Sequence, residues 1–131
     1  MFESMNDFAT DGQDAPSLRI RIVFGEDAML GPGKADLLEL IRETGSIAAA
    51  GRSMSMSYKR AWMLVDELNK AFRDPLVESS RGGVRGGGAR LTKAGEVVLA
   101  QYRKLEEIMA EAGAARIGVL RSLLRDGVAE K

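Results

Sequence analysis

The sequence predicts a mainly α-helical fold that contains one small β-hairpin. The chain has 131 residues, of which 45% are apolar and 29% are charged, so it is long enough to bury the core of one ordinary globular domain. In several segments after residue 33, apolar residues recur every three or four positions, as they do on one face of an α-helix. Near residue 85, a glycine-rich stretch separates two short extended segments, which predicts the hairpin.

The residues before position 46 predict a strand, a break and a first helix. In LRIRIVF (18–24), apolar side chains alternate with arginines, which is typical of a half-buried strand. GPG at 31–33 is expected to interrupt regular structure, because proline and glycine disfavour strands and helix interiors. KADLLELIRETG (34–45) then predicts a helix that Gly45 ends.

Two further helices are predicted before residue 75. Ser46 is placed to cap a short second helix over residues 47–54. The third helix is predicted over residues 58–72, and Pro75 follows its end. Its inner face, where Trp62 is expected to be a core residue, is predicted to contain Ala61, Trp62, Val65, Leu68 and Phe72.

A hairpin and a long last helix are predicted after the third helix. LVESS (76–80) and ARLT (89–92) are short and extended, and the glycines between them suit a hairpin loop. Thr92 is placed to cap the last helix. In that helix apolar residues recur in steps of four and three, a heptad-like spacing that favours a homodimer, with the alternative that the stripe covers the domain's own core. This seam contains Val98, Tyr102, Leu105, Met109 and Ala112, and Gly113 is a candidate interruption of the helix.

Two residue types are absent from the chain, and their absence excludes several function classes. Without cysteine or histidine there is no disulfide or thiol nucleophile, and the commonest general base and transition-metal ligand are missing. We therefore expect no enzyme activity, no cofactor and no metal site. No apolar run approaches the ~18 residues of a membrane helix. The first 16 residues are acidic and polar, which predicts a disordered segment and a cytoplasmic protein with no membrane contact.

The charges are distributed unevenly along the chain, although the formal net charge is zero. Residues 1–45 contain nine acidic and four basic side chains. Residues 52–93 contain nine basic and four acidic side chains. A basic central region of this kind favours a polyanionic partner.

The order of the elements predicts a winged helix-turn-helix with a long C-terminal helix, a fold that binds double-stranded DNA. In it, a short helix braces a longer one, whose amino-terminal turn enters the major groove, and the hairpin forms a wing beside it. The helix dipole and the unpaired amides at that turn favour phosphate. Basic side chains and hydroxyl groups contact bases or phosphates. The candidate DNA-binding residues are Ser46, Ser55, Ser57, Tyr58, Lys59 and Arg60 in the helical part and Arg81, Arg85 and Arg90 in the wing.

Other interpretations of the glycine-rich stretch RGGVRGGGARLT (81–92) stay open from its residues alone. A nucleotide-binding loop would end in Gly-Lys-Ser or Gly-Lys-Thr, which this stretch lacks. A flexible hairpin tip is the simpler alternative, but three arginines without a counter-charge favour a DNA-contacting wing. For the whole domain, the zero net charge leaves a winged helix that binds protein instead of DNA as the alternative function.

Two longer stretches carry a family resemblance: TGSIAAAGRSMSMSYKRAW (44–62) and LVESSRGGVRGGGARLTKAG (76–95). They resemble the amino-terminal DNA-binding domain of ModE-type molybdate-responsive transcriptional regulators and, more distantly, LysR-type regulators. The similarity extends loosely over residues 18–112. It implies a transcriptional regulator, a repressor or an activator, that binds a palindromic operator as a homodimer.

The chain is accordingly divided into a disordered lead-in (1–16), a DNA-binding domain (17–112) and a helical extension for the dimer contact (113–131). Ser55 stands where the family usually has a glycine in the turn, and Ser79 stands where an arginine is common. The family's molybdate-binding domains have no counterpart up to Lys131, so molybdate is not expected to bind this chain by itself.

Overall fold

The computed structural model describes residues 17–80 and 88–125, which form four helices and two small antiparallel sheets. The helices are α1 (Pro32–Thr44), α2 (Ile47–Ser53), α3 (Tyr58–Ala71) and α4 (Lys93–Ser122). The strands are β1 (Ile22–Val23), β2 (Met29–Leu30), β3 (Val77–Ser80) and β4 (Gly88–Leu91). The described residues between 20 and 104 form one compact unit, and residues 17–19 and 105–125 belong to a second. The observed order confirms the predicted winged helix-turn-helix with a long last helix.

The first strand is shorter than expected, and the first helix begins earlier. Of the predicted strand 18–24, only Ile22 and Val23 pair in a sheet, because their partner strand, β2, ends two residues before α1. Pro32 occupies the first turn of α1 and does not break it. Proline suits this place because the first N–H groups of a helix have no intrahelical acceptor.

The core of residues 20–104 lies among α1, α2, α3 and the first turns of α4. The hydroxyl of Tyr102 donates a hydrogen bond to the carbonyl of Ile20 at 2.6 Å, and its side chain is buried. Val98 packs against the same core. Val98 and Tyr102 therefore pack into the domain's own core, and their predicted place in a homodimer seam is wrong. Other buried core residues include Leu37, Leu38, Ile41, Ala50, Ala61, Val65, Leu68, Leu76 and Leu99.

A tight turn joins α2 to α3 and brings the two helices close together. A Cβ at Gly51 would lie 2.9 Å from the Cβ of Ala61, so a larger residue would push the helices apart. The N–H of Met56 donates to the carbonyl of Gly51 at 3.0 Å and closes the turn. Ser55 has a φ of 59°, and a non-glycine residue in this left-handed region costs about 1 kcal/mol. Serine is therefore costlier here than glycine.

α4 is continuous from Lys93 to Ser122. Gly113 does not interrupt it, because a single glycine lowers helix stability by only about 1 kcal/mol and a helix of 30 residues tolerates that loss. Within residues 17–80 and 88–125, none of the helices combines the length and apolarity that crossing a membrane requires. In the part of α4 that belongs to the second unit, exposed large apolar side chains include Leu105, Ile108, Met109, Val119 and Leu120.

Candidate nucleic-acid interface

The amino-terminal turns of α2 and α3 are each closed by a serine cap. Ser46 Oγ accepts a hydrogen bond from the N–H of Ala49 at 3.0 Å, as the sequence predicts. Ser57 Oγ accepts one from the N–H of Arg60 at 3.0 Å, a capping role that was not foreseen. Each hydroxyl keeps its hydrogen and a second lone pair for another contact. Both serines therefore shape the helix ends and still present a donor.

Two basic side chains at the start of α3 are exposed and have no acidic partner among the described residues. Lys59 and Arg60 are exposed, and no described carboxylate forms an ion pair with either. At the other end of α3, by contrast, Lys70 pairs with Asp66 at 2.9 Å. The first turn of a helix also leaves backbone N–H groups unpaired and carries the positive end of the helix dipole. The amino end of α3 is thus a place where positive charge is uncompensated.

Tyr58 and Trp62 form an exposed aromatic pair on α3. Their ring centroids are 6.1 Å apart with an interplanar angle of 76°, an edge-to-face arrangement. Tyr58 is 58% exposed and Trp62 is 36% exposed, so the predicted core position of Trp62 is wrong. Trp62 lies at the border of the buried face of α3, whose buried residues are Ala61, Leu64, Val65 and Leu68. The spacing of apolar residues alone does not distinguish a residue at the border of a buried helix face from one at its centre.

Asn69 connects α3 to the first strand of the wing. Its side-chain N–H₂ donates to the carbonyl of Val77 at 3.1 Å, and its Oδ1 accepts from the N–H groups of Leu76 and Val77 at 2.8 and 3.1 Å. The side chain thereby forms hydrogen bonds with the backbone N–H and C=O groups of this segment, as the backbone of a neighbouring strand would. This residue was not foreseen, because an isolated asparagine beside an apolar stripe carries no specific sequence signal.

Thr92 connects the wing to α4. Its hydroxyl donates to the carbonyl of Pro75 at 2.7 Å and accepts from the N–H of Gly95 at 3.0 Å, which confirms the predicted cap. A Cβ at Gly95 would collide with the carbonyl oxygen of Leu76, so glycine allows this close approach of helix and strand. The base of the wing is therefore held from both α3 and α4.

The hairpin forms as predicted, but one of its arginines has an acidic partner. β3 and β4 pair with Glu78 opposite Arg90, and the guanidinium lies 3.0 Å from the carboxylate. The expectation that the wing arginines lack a counter-charge is wrong for Arg90, because strand pairing supplies Glu78 from outside the glycine-rich stretch. The pair is mostly exposed, and such pairs contribute at most about 1 kcal/mol. Arg81 and Arg85 lie outside the described residues.

Together these elements define a winged helix-turn-helix DNA-binding domain. The short α2 braces α3, the amino end of α3 presents exposed cations, and Asn69 near the other end of α3 anchors the wing. Across the described ranges, no three carboxylates converge in a way that could hold a metal ion. The arrangement is suited to gripping a polyanion.

Comparison with known proteins specifies the class. Residues 34–96 match the family described as bacterial regulatory helix-turn-helix protein, lysR family. The chain is 43% identical over 91 residues to the molybdenum-pterin-binding protein MopA of Rhodobacter capsulatus. The matched residues make up 70% of this chain and 33% of MopA. It is 37% identical over 81 residues to the DNA-binding transcriptional dual regulator ModE of Escherichia coli strain K12. These residues make up 62% of this chain and 31% of that protein.

A solved structure shares the fold. The CbnR DNA-binding domain, crystallised as a complex with DNA, matches with a TM-score of 0.53 and 22% identity, over 67% of this chain and 95% of that chain. Taken with the sequence matches, residues 34–96 are a LysR-type helix-turn-helix DNA-binding domain, and the chain is homologous to the amino-terminal region of ModE. The predicted family resemblance is confirmed, and the relatives are named as a binding protein and a DNA-binding regulator, in agreement with the expectation of no enzyme activity. The chain spans about a third of the length of the curated relatives it matches.

Proposed function

We propose that this chain is a sequence-specific transcriptional regulator of the ModE type that binds a two-fold-related DNA site as a homodimer. The observation that carries the proposal is the pair of exposed, uncompensated cations, Lys59 and Arg60, on the capped first turn of α3. DNA phosphates would supply the missing negative charge, and the release of their counterions would drive binding. The helix dipole acts in the same direction.

Each candidate residue has a role in this proposal. α3 enters the major groove, where Lys59 and Arg60 reach base edges or phosphates. The wing arginines meet the flanking backbone, and Arg90 exchanges its weak pair with Glu78 for a phosphate. Hydroxyl groups that donate to phosphate or base belong to Ser46, Ser55, Ser57 and Tyr58. The other arginines of the wing that meet the backbone are Arg81 and Arg85.

The exposed apolar residues in the second unit support the homodimer. Leu105 and Met109 are 38% and 43% exposed, and Leu120 is 66% exposed. The step of four from Leu105 to Met109 is heptad-like, and Leu120 lies on the same side of the helix three turns after Met109, which suits a helix that covers its apolar stripe with a second copy of itself. We therefore assign the contact to residues from Leu105 onward, including the extension 113–131. A two-fold axis there would present two copies of α3 to two half-sites.

We further propose that this chain binds DNA in the cytoplasm without requiring molybdate. The helical residues assigned to DNA are positioned by caps and packing within residues 20–104, so no ligand is needed to place them. Repression would follow if the preferred site overlaps a promoter.

Selection of bound fragments from the source genome, followed by gel shifts over a salt series, tests the proposal. We expect a preferred fragment with two-fold symmetry, bound far more tightly than unrelated DNA of equal length, and an affinity that falls steeply with salt. Addition of molybdate should leave that affinity unchanged. Equal binding of all duplexes, or no binding, would contradict the proposal and favour a winged helix that binds protein.

A further inference from the structure

α3 exposes large apolar side chains on the surface that the proposed function turns towards DNA. Tyr58 is 58% exposed, Trp62 is 36% exposed and Met63 is 44% exposed. Other exposed residues of this helix are charged: Lys59, Arg60, Asp66, Glu67 and Lys70. Tyr58 and Trp62 are one helical turn apart and form one apolar patch, whereas Met63 lies about 100° further round the helix, one turn after Lys59.

This apolar patch lies outside the core of the domain. Met63, Tyr58 and Trp62 are absent from the core and from the partly buried side chains that pack against it. The edge-to-face contact of the two rings holds them against each other at the surface. Among the described residues, the phenol hydroxyl of Tyr58 has no hydrogen-bond partner. The patch therefore stays open to a partner, and the cations beside it select one that is negatively charged.

We propose that Tyr58 and Met63 read the C5-methyl groups of thymines in the major groove, and that Trp62 positions the ring of Tyr58. This inference rests on the proposed function and specifies which bases the same site recognises. The thymine methyl is the apolar group that base pairs present in the major groove. Met63 has no hydrogen to donate, so it gains little from a phosphate but gains from an apolar contact.

The two aromatic residues have different roles in this reader. Tyr58 occupies the first position of α3, and its ring edge would reach the methyl groups first. Trp62 is a positioning residue, because its ring packs against the ring of Tyr58 and restricts the conformations of that side chain. Phenylalanine at position 62 preserves such a ring contact, whereas alanine removes it.

The test compares two duplexes of the preferred fragment that differ only in carrying thymine or uracil, since uracil lacks the methyl group but pairs identically. The full chain is expected to bind the uracil duplex about fourfold more weakly for each contacted methyl group that the uracil duplex lacks. Tyr58→Ala, Met63→Ala and Trp62→Ala should each reduce this ratio, and Trp62→Phe should restore most of it. Val23→Ala removes an apolar side chain that is 63% exposed outside α3 and serves as the matched control, with an unchanged ratio. Binding of each variant to unrelated DNA reports that it is folded.

The outcomes separate this inference from the function on which it rests. Equal affinity for the two duplexes, in a protein that still prefers its own fragment, overturns the thymine reader alone. A wild-type preference for thymine that all three alanine variants retain overturns it as well, because another part of the chain would then read the methyl groups. Failure to prefer any fragment overturns the proposed function and the reader together.

Discussion

The side chain of Asn69 in α3 hydrogen-bonds both the carbonyl and the N–H of Val77 in β3, at 3.1 Å each. The N–H of Leu76 donates a third hydrogen bond to the same side chain at 2.8 Å. The helix that carries Lys59 and the strand that begins the wing are therefore joined through one residue. Their relative placement decides which phosphates and bases can be contacted at the same time.

Replacing Asn69 with alanine should lower the free energy of unfolding by about 2 kcal/mol, because strand backbone groups lose their partners in a partly buried position. Urea unfolding followed by circular dichroism measures this. Asn69→Asp keeps an acceptor for the two N–H groups but places a second carboxylate oxygen against the carbonyl of Val77, so it should also destabilise the domain. An alanine variant as stable as wild type would show that water replaces these bonds without cost.

Replacing Gly95 with alanine should destabilise the domain by about 1–3 kcal/mol, because the new Cβ collides with the backbone carbonyl of Leu76 and cannot be relieved by a side-chain rotation. Thermal and urea unfolding measure the change. Gly118→Ala is the control: among the described residues, no atom outside the helix's own nearby backbone lies within 4 Å of the added Cβ, so alanine should raise helix stability by up to about 1 kcal/mol. If both substitutions stabilised the protein, the close contact of α4 with the base of the wing would be refuted.

A double substitution, Leu105→Glu with Met109→Glu, should convert the proposed dimer into a monomer, because it places charges in the apolar stripe. Sedimentation equilibrium of wild type and variant at one concentration measures the assembly. Ala114→Glu adds a charge on the opposite side of the same helix and should leave the dimer intact. A wild-type monomer, or a dimer that survives the double substitution, would contradict the assignment of the contact to this part of α4.

Replacing Arg81, Arg85 and Arg90 with alanine should weaken binding to all DNA sequences and lower the dependence of log affinity on log salt by about 0.9 for each phosphate that the variant no longer neutralises. Gel shifts over a salt series measure this slope. The matched control, Arg19→Ala with Arg121→Ala and Arg125→Ala, removes the same charge from outside the wing and should lower the slope less. An unchanged slope in the wing variant would remove these arginines from the proposed interface.

Much of the fold could be predicted because its signals are local. The caps at Ser46 and Thr92 and the end of α1 at Gly45 each depend on a few neighbouring residues, and the structure confirms all three. The hairpin was likewise predictable from extended segments that flank glycines. Gly113 was a candidate interruption because glycine is a poor helix former, yet the cost of one glycine is too small to break α4.

The features that could not be predicted depend on contacts between distant parts of the chain. Tyr102 fits the heptad-like spacing of the predicted seam in α4, but its hydroxyl donates a hydrogen bond to the carbonyl of Ile20, 82 residues away in the sequence. Arg90 faces Glu78 only because of the strand register. The position of Trp62 fits the helical spacing of the core residues of α3, but its side chain is exposed. Burial also depends on which neighbouring elements reach that side of the helix. The predicted DNA-binding residues were placed by position in the fold, and their contacts with DNA stay predictions.

The affinity of a Lys59→Ala, Arg60→Ala double variant for the preferred fragment tests most directly whether the amino end of α3 binds DNA. We expect a loss of at least about 30-fold relative to wild type, because two side chains that meet bases or phosphates are removed. The control removes Lys70 from the last turn of α3 and Arg73 from just beyond the helix, where each already lies beside an acidic group, and should change the affinity little. Wild-type affinity in the Lys59 and Arg60 variant would contradict the proposed interface.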